Sequence, residues 1–181
     1  MSKTSAAAAK ASTSSHFELF GLPVAFALDA ERLDAAYRDI QARVHPDKFA
    51  HAGDAERRAS MQMTTRVNEA YRALKDPLRR AIHLLELNGV DVAFETDTAM
   101  PKEFLMEQME LRERLEEAGN SAVLDSILEG LNHERKQIQQ QLAEQFDSRK
   151  NYDDARTLVR KLMFFDRLAE EVDEAYQALE N

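Results

Sequence analysis

Apolar residues recur along most of this chain at intervals of three and four, the spacing that gives a helix one buried face. From Asp29, a plausible N-cap, the positions Leu33, Tyr37, Ile40 and Val44 form one such stripe. A second stripe opens after Asp54 with Ala55, Ala59, Met63, Val67, Ala70, Tyr71 and Leu74. Two stripes joined by a short connection predict an antiparallel helical hairpin. Asp76-Pro77 stops the second helix and starts another, because proline is tolerated at a first helical position. That piece, Leu78 to Leu87, ends at Asn88-Gly89, a good C-terminal stop. Ahead of the hairpin, His16 to Leu22 reads as one short turn ending at Gly21, with Phe17 and Phe20 as packing residues.

The second half carries three longer helical patterns. Residues 89–100 have no clear period and are read as a connector. From Pro101 to Gly119, with Phe104 set at 0°, Gln108, Leu111, Leu115 and Ala118 lie within about 40° and make a core stripe. Leu105, Met106 and Met109 fall at about 100°, 200° and 140°, on the back of the same helix. Glu113, Glu110 and Glu117 edge them at about 180°, 240° and 220°. Each large apolar side chain left in water forgoes roughly 1.5–3 kcal/mol of burial, so either this chain or a partner must cover the patch. The next helix runs from Ser121 to Phe146 through Leu124, Leu128, Leu131, Ile138 and Leu142. The last runs from Tyr152 to Leu179 through Ala155, Leu158, Leu162, Phe165, Ala169, Val172, Tyr176 and Leu179, with Phe164 about 120° off that seam. These spacings fit a three-helix bundle over residues 101–181.

Composition agrees with an all-α chain. There are 5 Gly and 4 Pro, and 31% of residues are charged. The absence of cysteine excludes disulfides, thiol catalysis and thiolate ligation of zinc or an iron–sulfur cluster. No apolar run approaches the roughly 18 residues of a membrane span. The net charge of −9 is uneven. Residues 1–90 hold 13 Lys+Arg against 11 Asp+Glu, and residues 91–181 hold 11 against 22. That asymmetry suggests two surfaces for two partners and argues against nucleic acid for the second half. Residues 1–15, rich in Ala and Ser, are expected to be a disordered tail of a cytoplasmic protein, since they lack the apolar core of a secretory signal.

The chemistry gathers at His45-Pro46-Asp47, between the two hairpin helices. Pro46 disfavours helix for His45 and fixes its own backbone, while the Asp47 carboxylate is expected to bond nearby amides and hold a tight corner. On the second helix Arg38 and Gln41 fall on the far face, and Arg32, Asp39 and Arg43 on a flank. Donors and positive charge therefore run toward His45 and Lys48. No phosphate-binding glycine loop appears, and His133-Glu134 lacks the second histidine of a zincin motif. These absences count against a metal-dependent hydrolase, and no metal or cofactor is expected.

A short helix, a basic helix, the His-Pro-Asp corner and an antiparallel helix carrying Asn68-Glu69-Ala70-Tyr71-Arg72-Ala73-Leu74 together resemble a J-domain, here over residues 16–88. The resemblance implies docking on a seventy-kilodalton heat-shock chaperone and stimulation of its ATP hydrolysis. His45, Pro46 and Asp47 would be the triggering contact, with Arg38, Arg43 and Lys48 supplying attraction. Neither a Gly/Phe-rich stretch nor a zinc module follows, which points away from the alternative of a general J-protein for unfolded clients. The stretch Phe104 to Glu113, with Arg160-Lys161-Leu162 leading to Phe164, Ala50 after the corner and Pro77-Leu78-Arg79-Arg80-Ala81, is similar to the bacterial HscB family of iron–sulfur cluster biogenesis. That resemblance covers nearly everything beyond residue 15. It implies an HscA-like chaperone and an IscU-like scaffold as partners, and assigns Leu105, Met106, Met109, Glu110, Glu113, Glu117 and Phe164 to the scaffold. Met109 stands where leucine is expected, a change that nearly keeps volume and apolarity.

Overall fold

The computed structural model describes residues 15–92 and 100–179, and among them there are helices and no strand. These residues form two compact units. One holds the chain up to Val24 together with Leu28–Asp76, and the other holds Ala25–Ala27 together with the chain from Pro77 onward. The expected tail lies outside the described residues except for Ser15, and so do positions 93–99 of the expected connector.

In the first unit, Ser15 is part of the fold. It is buried and caps α1 (His16–Leu19) in a reciprocal box: its hydroxyl accepts from the Glu18 amide at 3.2 Å, and the Glu18 carboxylate accepts from the Ser15 amide at 3.1 Å. Gly21 then turns the chain with a φ of +62°, where a side chain would be strained. Helix α2 (Ala30–Val44) starts where expected, with the Asp29 carboxylate accepting from the amides of Glu31 and Arg32. A single 3-10 turn, Pro46–Phe49, separates it from α3 (Asp54–Lys75). Phe17, Leu33, Val67, Ala70 and Leu74 are fully buried and form the core of this unit.

The outer part of the expected α3 stripe is different. Ala55 and Ala59 are exposed and Met63 is 38% exposed. The first turns of α3 instead face α2 through hydroxyls. Ser60 and Thr64 both donate to the Val44 carbonyl, at 2.7 and 3.2 Å. Farther along, Tyr37 stacks on Tyr71 with ring centroids 4.1 Å apart, and its hydroxyl donates to Asn68 at 3.0 Å. Gln41 was placed on the far face, yet its amide donates to Tyr37 and Asn68. It sits four residues after Tyr37, only about 40° away around the helix, and so falls on the seam.

The second unit is built on the pairing of α6 (Ser121–Ala143) with α7 (Tyr152–Leu179). Helices α4 (Pro77–Leu87) and α5 (Lys102–Glu116) pack against α7. The sequence boundary at residue 88 would leave α4 in the first domain, whereas packing sets it in this unit, with Ala81, Leu84 and Leu85 buried. The seam is also broader than the heptad reading. Ile127, Val159 and Leu168 are buried beside Leu124, Leu131, Leu162 and Val172, while Leu128, Leu158 and Ala169 are only partly covered. Tyr176 is partly covered and Leu179 is exposed near the end of α7.

Past Ala143 the expected helix continues as a π-helical segment, Glu144–Arg149, ending at Lys150 with a left-handed φ of 54°. That segment aims Phe146 and Asp147 at residues 25–27. Phe26 stacks on Phe146 at 5.9 Å under the Arg80 guanidinium, and the amides of Phe26 and Ala27 donate to the Asp147 carboxylate at 2.7 and 2.8 Å. The buried Arg160 guanidinium donates twice to the Val92 carbonyl, at 3.1 and 2.9 Å.

Candidate functional site

The His-Pro-Asp corner is fixed from behind and open in front. Where α2 stops, the Val44 carbonyl loses its helical partner, because the chain turns away at His45 with ψ near 130°. Ser60 and Thr64 supply two donors in its place and pin the end of α2 to α3. Sequence reasoning passed over these hydroxyls. The available signal is two hydroxyl residues four apart on the α3 face turned to α2.

His45 then caps the 3-10 turn. Its Nδ1 accepts from the Asp47 amide at 3.3 Å, and the Lys48 amide donates to the His45 carbonyl at 3.0 Å. Capping was expected of the Asp47 carboxylate and is performed by His45, which occupies the N-cap position that Asp29 holds on α2. The Asp47 carboxylate lies 3.4 Å from His45 Nδ1 and is 89% exposed, against 53% for the imidazole. One ring nitrogen cannot both accept the amide and donate to the carboxylate. With Nδ1 accepting, a neutral ring carries its proton on Nε2. The corner thus presents a carboxylate acceptor and an imidazole donor side by side.

Arg38, Arg43 and Lys48 are all exposed. The Arg43 guanidinium donates back to the Asp39 carbonyl at 3.2 Å, which holds it along the flank of α2. Between the hairpin helices the Asp34 carboxylate accepts from Lys75 at 2.7 and 2.8 Å and from Tyr71 at 2.9 Å. The Lys75 bond, followed by the Tyr71 bond, holds Asp34 below its usual carboxylate value. Bonding to Asp34 in turn raises Lys75 above the ordinary ammonium value. This clasp, which the apolar pattern did not announce, braces the two helices that carry the corner.

In the second unit, α5 turns Phe104 and Gln108 inward, both buried. Its back remains open: Leu105, Met106 and Met109 are 39, 52 and 63% exposed. Glu110, Glu113 and Glu117 are exposed around them. The expected patch is therefore on the surface of its unit, with its acidic edge. Phe164 has a different setting. It is partly buried and meets the Phe104 ring edge-on at 5.6 Å, on the inner side of α5, where Lys161 Nζ also lies 5.4 Å from that ring.

No group of three or more His, Asp or Glu able to hold a metal occurs among the described residues, and no described helix is long and apolar enough to cross a membrane.

Comparison with known proteins covers both units. A family model described as the HSCB C-terminal oligomerisation domain matches residues 100–173. The co-chaperone protein HscB homolog of Burkholderia thailandensis is 51% identical over 170 residues, which span 92% of this chain and 97% of that protein. Among solved structures, the chaperone HscB from Vibrio cholerae is similar at a TM-score of 0.80 and 37% identity, covering 91% of this chain and 99% of that one. Human co-chaperone protein HscB is similar at a TM-score of 0.85 and 30% identity, covering 90% of this chain and 82% of that one.

Proposed function

Because the chain belongs to the HscB family of co-chaperones, with an N-terminal J-domain and a C-terminal helical bundle, we propose that it stimulates ATP hydrolysis by an HscA-like heat-shock chaperone and delivers an IscU-like iron–sulfur scaffold to it. The observation that carries this reading is the corner, where a carboxylate 89% exposed stands beside an imidazole on a turn clamped by Ser60 and Thr64. An activator accelerates a partner's reaction only if it binds the reactive conformation more tightly than the resting one. A stiff loop offering a fixed donor and acceptor suits that task, since little ordering remains to be done on contact. Arg38, Arg43 and Lys48 would draw in an acidic surface and speed encounter. The chain contributes no catalytic group. Hydrolysis belongs to the chaperone, in the cytoplasm where its ATP is found.

On the second unit, Leu105, Met106 and Met109 with the rim of Glu110, Glu113 and Glu117 have the make-up of an interface, an apolar centre inside a charged edge. The complementary surface is an apolar groove bordered by Lys and Arg, which we assign to the scaffold. Phe164 would act by backing α5 through Phe104.

The test is Asp47→Asn, which keeps shape and removes charge from an exposed position where the fold has little at stake. Phosphate release by the chaperone should lose its stimulation, with helical content and scaffold affinity unchanged. Full stimulation by this variant would remove the corner from the mechanism.

A further inference from the structure

We propose that Met106 and Met109 form an oxidation site, at which hydrogen peroxide turns the two thioethers into sulfoxides and thereby weakens the hold on the scaffold. The inference rests on the assignment of the α5 patch to scaffold binding. Its own ground is chemical. Two methionines, 52 and 63% exposed and three residues apart on one helix, make up most of the apolar surface of the patch. Leucine would give the same apolar cover at either position, so what the thioethers add is reactivity.

In the reaction a sulfur lone pair attacks one peroxide oxygen. The S–O bond forms as the O–O bond breaks, and the departing hydroxide takes up the proton left on the transferred oxygen and leaves as water. Sulfur is oxidised by two electrons and peroxide is reduced. Peroxide is neutral, so the surrounding carboxylates do not repel it as they would an anionic oxidant. The new S=O group accepts hydrogen bonds and donates none. Its exposed neighbours Glu110 and Glu113 are also acceptors only when ionised. The sulfoxides stand at the apolar centre of the patch, so a partner laying an apolar groove over them strips water from a newly polar group, even with Lys102 exposed one turn before Met106. The change is reversible by a thiol-dependent methionine sulfoxide reductase, so the site can act as a switch.

The experiment treats the full chain with peroxide, removes the oxidant with catalase and desalting, and only then adds purified IscU-like scaffold from the same organism for calorimetry. Peptide mass mapping locates each added oxygen. Met61 and Met63, also exposed on α3, serve as internal references. Oxidised protein should bind roughly tenfold or more weakly, about 1.4 kcal/mol. Met106→Leu with Met109→Leu should bind equally well before and after treatment although Met61 and Met63 still oxidise, and the reductase should restore the parent protein. Unchanged affinity with both sulfoxides present, or an equal loss in the leucine variant, overturns the proposal. Untreated Leu105→Ala separates the two levels. If it binds scaffold as tightly as the parent, the docking assignment fails and takes the oxidation site with it. If it binds weakly while oxidation has no effect, the oxidation site alone fails.

Discussion

Asp34 shows how single side chains set the working range of the hairpin. Its bonds to Lys75 and Tyr71 lower its own titration and raise that of Lys75. A carboxylate lowered by folding adds stability that is present above its unfolded value, near 3.8, and is lost as pH falls through the lower folded value. An ammonium raised by folding adds stability that is present below 10.5 and is lost as pH rises through its folded value. The clasp therefore acts over the broad range between these limits. Asp34→Asn should lower the melting temperature by roughly a few degrees at neutral pH, a modest effect because both groups keep contact with solvent. The deficit should vanish in strong acid, where the parent carboxylate is protonated too. Paired thermal melts across pH would show this, and a deficit independent of pH would mean that the clasp does not depend on charge. Other residues were harder to assign in advance. His45 took the capping role expected of Asp47 because an imidazole nitrogen at the cap position can accept an amide as a carboxylate does. Sequence alone located the corner and not which of its side chains caps the turn.

Among the elements, α2 and α3 show what periodicity can and cannot say. Their existence and nearly all their limits were legible, because Asp29, Pro46 and Asp76-Pro77 impose starts and stops through local chemistry. The content of the α3 face was not. Ala55 and Ala59 fit the period, but alanine gains little from burial, so the pattern carries little force there, and Ser60 and Thr64 took the inner positions. Likewise the π-helical segment follows from no propensity in Glu144–Arg149; its placement of Phe146 and Asp147 is a tertiary matter. On α2 itself the exposed Arg38 and Arg43 lead to a prediction. Arg38→Glu with Arg43→Glu should slow association with the chaperone, with a smaller change in dissociation, and the gap from the parent should narrow as salt rises. Stopped-flow or surface-based association rates at several ionic strengths measure this. Rates indifferent to both charge and salt would reduce the basic face to ordinary solvated surface.

For the molecule as a whole, a slightly basic half carries the exposed corner and a strongly acidic half carries the exposed α5 patch. The charge split was read from sequence as two surfaces for two partners, and the exposure of Leu105, Met106 and Met109 bears on the second. A large apolar side chain in a packed core costs roughly 2–5 kcal/mol when cut to alanine, because burial is lost and a cavity remains. Leu105 and Met109, 39 and 63% exposed, have much less burial to lose in the free protein than a core residue and lose most in the complex that covers them. Leu105→Ala with Met109→Ala should therefore leave the melting temperature nearly unchanged while weakening scaffold binding by a few kcal/mol, as desolvated anchors do. Without scaffold, stimulation of the chaperone by the same variant should equal that of the parent, since the corner is untouched. Calorimetric binding, thermal melts and phosphate release on this one protein separate the cases. A melting point many degrees lower with unchanged affinity would mean that these side chains support the bundle and that the scaffold is held elsewhere.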